Sequence, residues 1–246
     1  MALPPRHSFK PVLRSLAAAL ILLGSACAVY RTPGGAAPAD VMTPPNPAAD
    51  GAIPVVPTPA RLVMMRVQGP GYRSPSAQGT NCGRYCAVAE TDAVTKRMLD
   101  AISRWPSIAQ AEALDAGLLP SRLDSLTDLR WAAAKIQADV VFVYTLETSF
   151  VVGSRALEPD ARLPTAKPAE HGARIDCVAD GRFLDVRTGA ELGQARATAS
   201  RSLDDAWGSI AQLEERRVQT ENAAVDLLLA DAQALWSRLV NGGSSS

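Results

Sequence analysis

The chain has 246 residues, 47% of them hydrophobic, and its 25 basic residues balance 25 acidic ones. That length is enough for one domain with a substantial core. The even charge, with no basic stripe, excludes a nucleic-acid surface or a polybasic membrane patch.

The N-terminus reads as an export signal. Arg6, Lys10 and Arg14 precede an uncharged apolar run over residues 15–23, followed by the small residues Gly24, Ser25 and Ala26. The run is too short for a settled transmembrane helix, which needs about 20 apolar residues. The stretch LGSAC resembles the signal box of bacterial lipoproteins, which implies that Cys27 is acylated and becomes the first mature residue, although Gly24 stands where Leu is usual. Ala28 after the cysteine resembles the pattern of an outer-membrane destination. Ala26-Cys27-Ala28 also fits ordinary A-x-A cleavage, which would release a soluble protein beginning at Val29. The lipidated reading leads, and it implies lasting attachment to a bilayer, since each buried CH₂ contributes about 0.8 kcal/mol. Loss of the three basic residues before Cys27 leaves 22 against 25 acidic ones, a formal charge of −3.

Residues 31–60 contain eight prolines, with apolar interruptions only at 41–42 and 53–56. Proline withholds the backbone donor that helices and sheets need, so residues 27–60 are expected to form a flexible tether. The folded domain is expected over 61–240, with 241–246 as a tail.

RLVMMRVQ at 61–68 reads as a first strand, ended by the turn GPGY. Val94, Met98, Ile102 and Trp105 recur at helical spacing behind a Thr91 or Asp92 cap. The region around Ile108 is compatible with a short strand or a short helix. Leu126, Leu129, Ala133 and Ile136 share one helical face and feed a continuous apolar run at 140–146, the pattern of a central strand. Residues 151–172 are Pro-rich and of mixed charge, an excursion from the sheet. Strands follow at 173–179, 182–186 and 191–199, with turns expected at Asp180-Gly181 and Thr188-Gly189. Val218, Val225, Leu228, Ala232, Leu235 and Leu239 mark a long amphipathic helix, with Ser202 and Asp205 as a capping pair at its entry. Helix feeding strand makes a single α/β domain, a mixed sheet in a three-layer arrangement, the expected fold.

The order RLVMMRVQ, LRWAAAKIQADVVFVYTLET and FLDVRTGAELGQARATA, closed by a helix, resembles the lipid-anchored α/β domains related to the curli-secretion lipoprotein and to the outer-membrane activators of penicillin-binding proteins. The matching residues, including Asp185 to Gly189, are packing and turn positions. The resemblance therefore implies fold and compartment and carries no catalytic set.

Beyond Cys27 the chain has Cys82, Cys86 and Cys177. In an oxidising compartment one disulfide is expected, with Cys82–Cys86 and Cys86–Cys177 both open and one thiol left over. No metal or cofactor site is expected, since His171 is the one imidazole after the signal. An enzyme is not the leading reading, because there is no G-x-S-x-G turn and no paired nucleophile and base. The alternatives are a periplasmic hydrolase-like enzyme using Asp176 and Asp185, or a soluble periplasmic binding protein. The leading expectation is a lipid-anchored, non-enzymatic binding, assembly or regulatory module at the periplasmic side of the outer membrane. Its partner is an envelope protein or a second copy of the chain, met through Trp207, Ile210, Leu213, Leu235 and Leu239.

Overall fold

The computed structural model describes residues 29–43, 56–164 and 172–242. Its centre is β2 (Ala60–Gln68), where Leu62 and Met64 point to one face and Val63, Met65 and Val67 to the other. All five are buried, because both faces of the sheet are covered. β2 runs parallel to β5 (Ile108–Ala113) on one edge and to β6 (Val140–Val152) on the other. The chain therefore steps from β2 to β5 in one direction and from β5 across to β6 in the other. Crossovers of one hand must then use opposite faces. Accordingly α2 (Asp92–Ile102) packs Met98 and Ile102 on the Leu62 face, and α3 (Leu126–Lys135) packs Leu129 and Ala133 on the Val63 face. The strand alternative at Ile108 is the one realised.

α2 and α3 each start on a side-chain hydrogen bond. Thr91 Oγ1 accepts from Val94 N at 3.4 Å, and Asp128 Oδ2 accepts from Ser125 N at 2.9 Å. Beyond β6 the sheet is antiparallel, with β9 (Arg174–Asp185) and then β10 (Glu191–Ser202). The closing helix α4 (Ile210–Gly242) spans roughly 50 Å at about 1.5 Å per residue and lays Val225, Leu228, Ala232 and Trp236 over β9 and β10. The result is a single α/β domain: a mixed sheet between helices in three layers.

Four expectations are corrected. First, part of the expected tether is packed. β1 (Val29–Arg31) pairs with β8 (Arg162–Pro164), and Tyr30 is fully buried against Phe150. A one-turn helix, α1 (Ala39–Met42), buries Val41 and Met42 on the α3 face. The apolar pair that interrupts the proline pattern is the anchor. Second, Asp180-Gly181 is no turn, since β9 runs through it. A Cβ at Gly181 would approach the Phe142 ring to 2.8 Å, so this glycine admits an aromatic ring. Third, Ser202 and Asp205 do not cap α4. Ser202 accepts from Asp204 N, Asp205 pairs with Arg216, and Ser209 Oγ accepts from Gln212 N at 3.1 Å. Fourth, the 151–172 excursion contributes structure, because β6 continues to Val152, β7 (Arg155–Ala156) folds back on it, and β8 holds β1.

Candidate functional site

On one edge β2 changes partner. Up to Met64 it pairs with β5, and from Arg66 it pairs with β4 (Cys86–Val88), which runs the opposite way. The β5 chain leaves after Leu114 N bonds Met64 O at 2.9 Å. The fork between the two strands encloses a cavity of about 240 Å³. Met64, Met65, Val88 and Leu114 make apolar walls, and Arg66, Glu90 and Tyr144 form the polar end.

Arg66 follows Leu62 and Met64 on the α4 face of β2, so the strand's period drives a guanidinium under the helix. It is 5% exposed. Nη1 bonds Glu90 Oε1 at 3.1 Å, Nη2 bonds the Tyr72 hydroxyl at 3.0 Å and lies 3.6 Å from Glu221 Oε2, while Nε has no partner among the described residues. The Tyr144 hydroxyl also donates to Glu90 Oε1, at 3.0 Å. On α4, Glu214, Arg217 and Glu221 stand three and four residues apart on one stripe. Arg217 Nη2 meets Glu214 Oε1 at 2.5 Å and Ser76 Oγ at 2.7 Å, and Nη1 meets Glu221 Oε1 at 2.6 Å. Tyr30 donates to Glu214 and Thr148 to Glu221. A second cavity, about 130 Å³, opens between Arg66, Glu90, Arg217 and Glu221, so that Arg66 and Glu90 line both.

Burial shapes these groups. It pushes the Tyr144 hydroxyl well above its ordinary pKa, and the adjacent Glu90 adds to this. Burial would also raise the Glu214 carboxyl, but the hydrogen bonds and charge of Arg217, with the Tyr30 hydroxyl, hold it below its usual value. Burial and then Glu221 push the Cys177 thiol up to about 12, so it stays protonated and unreactive at neutral pH.

A second feature lies at the other end of β6. Pro57, Arg130, Trp131, Asp139, Asp185 and Arg187 surround an open groove of about 440 Å³. Trp131 is 65% exposed. Asp139 accepts from Arg61 N and Asp185 from Thr188 N, whereas neither Arg130 nor Arg187 has an ion pair or side-chain hydrogen bond among the described residues. Gly189, at φ +77°, leaves room for the Arg130 guanidinium against the turn.

Of the sequence-predicted residues, Cys82 and Cys86 form the disulfide, and Cys177 is free and buried. Cys27 and His171 lie outside the described residues. The expected interface does not assemble as one exposed face. Leu213 is fully buried with Tyr30 and Phe150, Trp207 packs on that cluster, Leu235 and Leu239 pack on the main core, and Ile210 alone is exposed, at 40%. Val225, Leu228 and Ala232 face the sheet as expected, and only at the C-terminal end does the buried stripe move by one residue, from Leu235 and Leu239 to Trp236 and Val240. Asp176 and Asp185, offered as an acid–base pair, sit at opposite ends of β9, roughly 30 Å apart at about 3.3 Å per residue. Asp176 binds Arg174 and Ser200.

Sequence reasoning missed Arg66, Glu90, Arg217, Glu221 and Trp131. The available signal was a single arginine inside an apolar strand and ionisable residues at 214, 217 and 221 continuing an apolar stripe. Among the described residues there is no cluster of three or more His, Cys, Asp or Glu side chains able to hold a metal ion. Among them, too, no helix is long and apolar enough to cross a membrane.

No protein family matches the chain, and neither does any curated protein. Among solved structures it is similar to the hypothetical protein CT253 from Chlamydia trachomatis, at 15% identity and a TM-score of 0.29, over 59% of this chain and 83% of that one. A likeness of that size carries no argument.

Proposed function

We propose that this chain is a lipid-anchored, non-enzymatic binding module of the bacterial envelope, held at Cys27 on the periplasmic side of the outer membrane and docking an envelope protein in the Trp131 groove. The resemblance to the curli-secretion and penicillin-binding-protein-activator group belongs to this reading, and the Cys82–Cys86 disulfide suits an oxidising compartment.

The observation that carries the proposal is the separation of the two ends. Only Ala28 lies between Cys27 and β1, so an acylated Cys27 holds the Tyr30–Phe150 end of the domain against the bilayer. From Asp139 to Phe150 the chain runs along β6, roughly 35 Å at about 3.3 Å per residue, so the groove faces away from the membrane. An exposed tryptophan beside two guanidiniums that have no ion pair among the described residues has the composition of an interface hot spot. Because the groove's carboxylates are already engaged by backbone N–H groups while its arginines have no carboxylate partner among the described residues, the partner segment is acidic with an apolar contact.

Co-purification from detergent-solubilised membranes tests this. The native chain retains its partner, Trp131→Ala lowers recovery by about tenfold or more, and Leu227→Ala on the exposed face of α4 leaves it unchanged. Full retention by a folded Trp131→Ala variant overturns the docking site. A mature N-terminus at an unmodified Val29 in the mass spectrum overturns the anchor.

A further inference from the structure

We infer that the fork between β4 and β5 is a small-molecule site that takes a neutral amide with an apolar body, about the size of one capped apolar amino acid. This inference is independent of the Trp131 groove, which lies around other elements.

Three observations lead to it. The first is size and lining. At about 240 Å³ the cavity falls below the roughly 300–1,000 Å³ typical of drug-sized ligands, and Met64, Met65, Val88 and Leu114 suit an aliphatic group.

The second is that Arg66 and Glu90, which both line it, each carry a polar atom without a partner among the described residues. Arg66 Nε is shielded from water and bonds nothing among the described residues. Glu90 spends one carboxylate oxygen on Arg66 and Tyr144, and its other oxygen accepts nothing among the described residues. A buried donor without an acceptor is disfavoured, and a ligand able to satisfy it recovers that energy. Glu90 is held through a single oxygen and its side chain is 17% exposed, and the proposed site requires it to turn so that a ligand reaches the shielded Nε. A free donor next to a free acceptor calls for a group presenting C=O and N–H side by side, which is an amide.

The third is charge. The ion-pair network holds two guanidiniums, Arg66 and Arg217, against three carboxylates, Glu90, Glu214 and Glu221. A further anion is repelled, so a carboxylate with the same body is a poor ligand even though Arg66 is present.

The test titrates three probes into the folded protein: N-acetyl-leucinamide, its acidic analogue N-acetyl-leucine, and leucinamide, which is cationic. The readout is the NMR signals of ¹³C-labelled methionine methyls. N-acetyl-leucinamide is expected to shift Met64 and Met65 saturably and leave Met42 unmoved, with N-acetyl-leucine at least tenfold weaker. Ala113→Phe, a change at an exposed rim position, abolishes the shifts by blocking the entrance, and Glu90→Ala weakens binding tenfold or more. No saturable shift at Met64 and Met65, equal binding of the acid, stronger binding of the cation, or full binding by a folded Ala113→Phe variant each overturns the inference.

Discussion

At Met65 the backbone pairing of β2 with β6 ends, and the side chain of Gln68 takes over. Its Nε2 donates to Leu146 O at 2.9 Å, its Oε1 accepts from Leu146 N at 2.8 Å, and the same oxygen accepts from Thr145 Oγ1 at 2.9 Å. Thr145 Oγ1 in turn accepts from Ala37 N, tying the N-terminal segment to the sheet. Gln68 is 1% exposed, so these groups have no access to water. Gln68→Leu should therefore destabilise the fold by at least about 2 kcal/mol, because each stranded polar group costs about 1–3 kcal/mol. Urea unfolding reads this directly, and an unchanged midpoint would contradict the role given to this amide. Glu214 supplies a pH signature. Its folded pKa lies below the unfolded value, so its contribution is complete above the ordinary glutamate range and is lost as the pH falls through the depressed folded value. The urea midpoint should fall on acidification below about pH 4.3, and Glu214→Gln should flatten that part of the profile. A Glu214→Gln profile parallel to the native one would remove this residue from the acid response.

Elements with a single strong period were legible from sequence, and those defined by long-range contacts were not. The run at 62–65 is apolar at every position and that at 140–146 is broken by Thr145 alone, because both sheet faces are covered, and both belong to central strands. The helices at 92–102 and 126–135 announce their faces, and the first announces its cap as well. Asp180-Gly181 misled because the same dipeptide that turns a hairpin also makes room for Phe142, and only the packed sheet distinguishes the two. Val41-Met42 misled for the opposite reason: four helical residues among prolines have no periodicity, and their burial depends on a surface built a hundred residues later. The fork site was invisible because Arg66 and Glu90 come together only through a strand's change of partner. The element-scale prediction concerns residues 29–43. Their deletion uncovers the partners of Tyr30, Val41 and Met42, and burial of each large apolar side chain is worth roughly 1.5–3 kcal/mol. The melting temperature should drop markedly. A shortened chain melting with the native one would restore the simple tether.

For the molecule as a whole, the two ends of β6 carry different tasks in the proposed reading. At one end β1 and β8 join the short two-stranded sheet closest in sequence to Cys27. At the other, Trp131, Arg130 and Arg187 open on a groove whose acidic residues are already engaged by the backbone. The three-layer sandwich between them is a rigid spacer, which removes any need for a long flexible arm to hold the groove off the surface. A photoreactive amino acid placed singly at position 131 and at position 31 in intact cells tests this arrangement most directly. The account predicts that position 131 captures a protein and that position 31, exposed on β1, captures lipid. Lipid captured at 131 and a protein at 31 would contradict it.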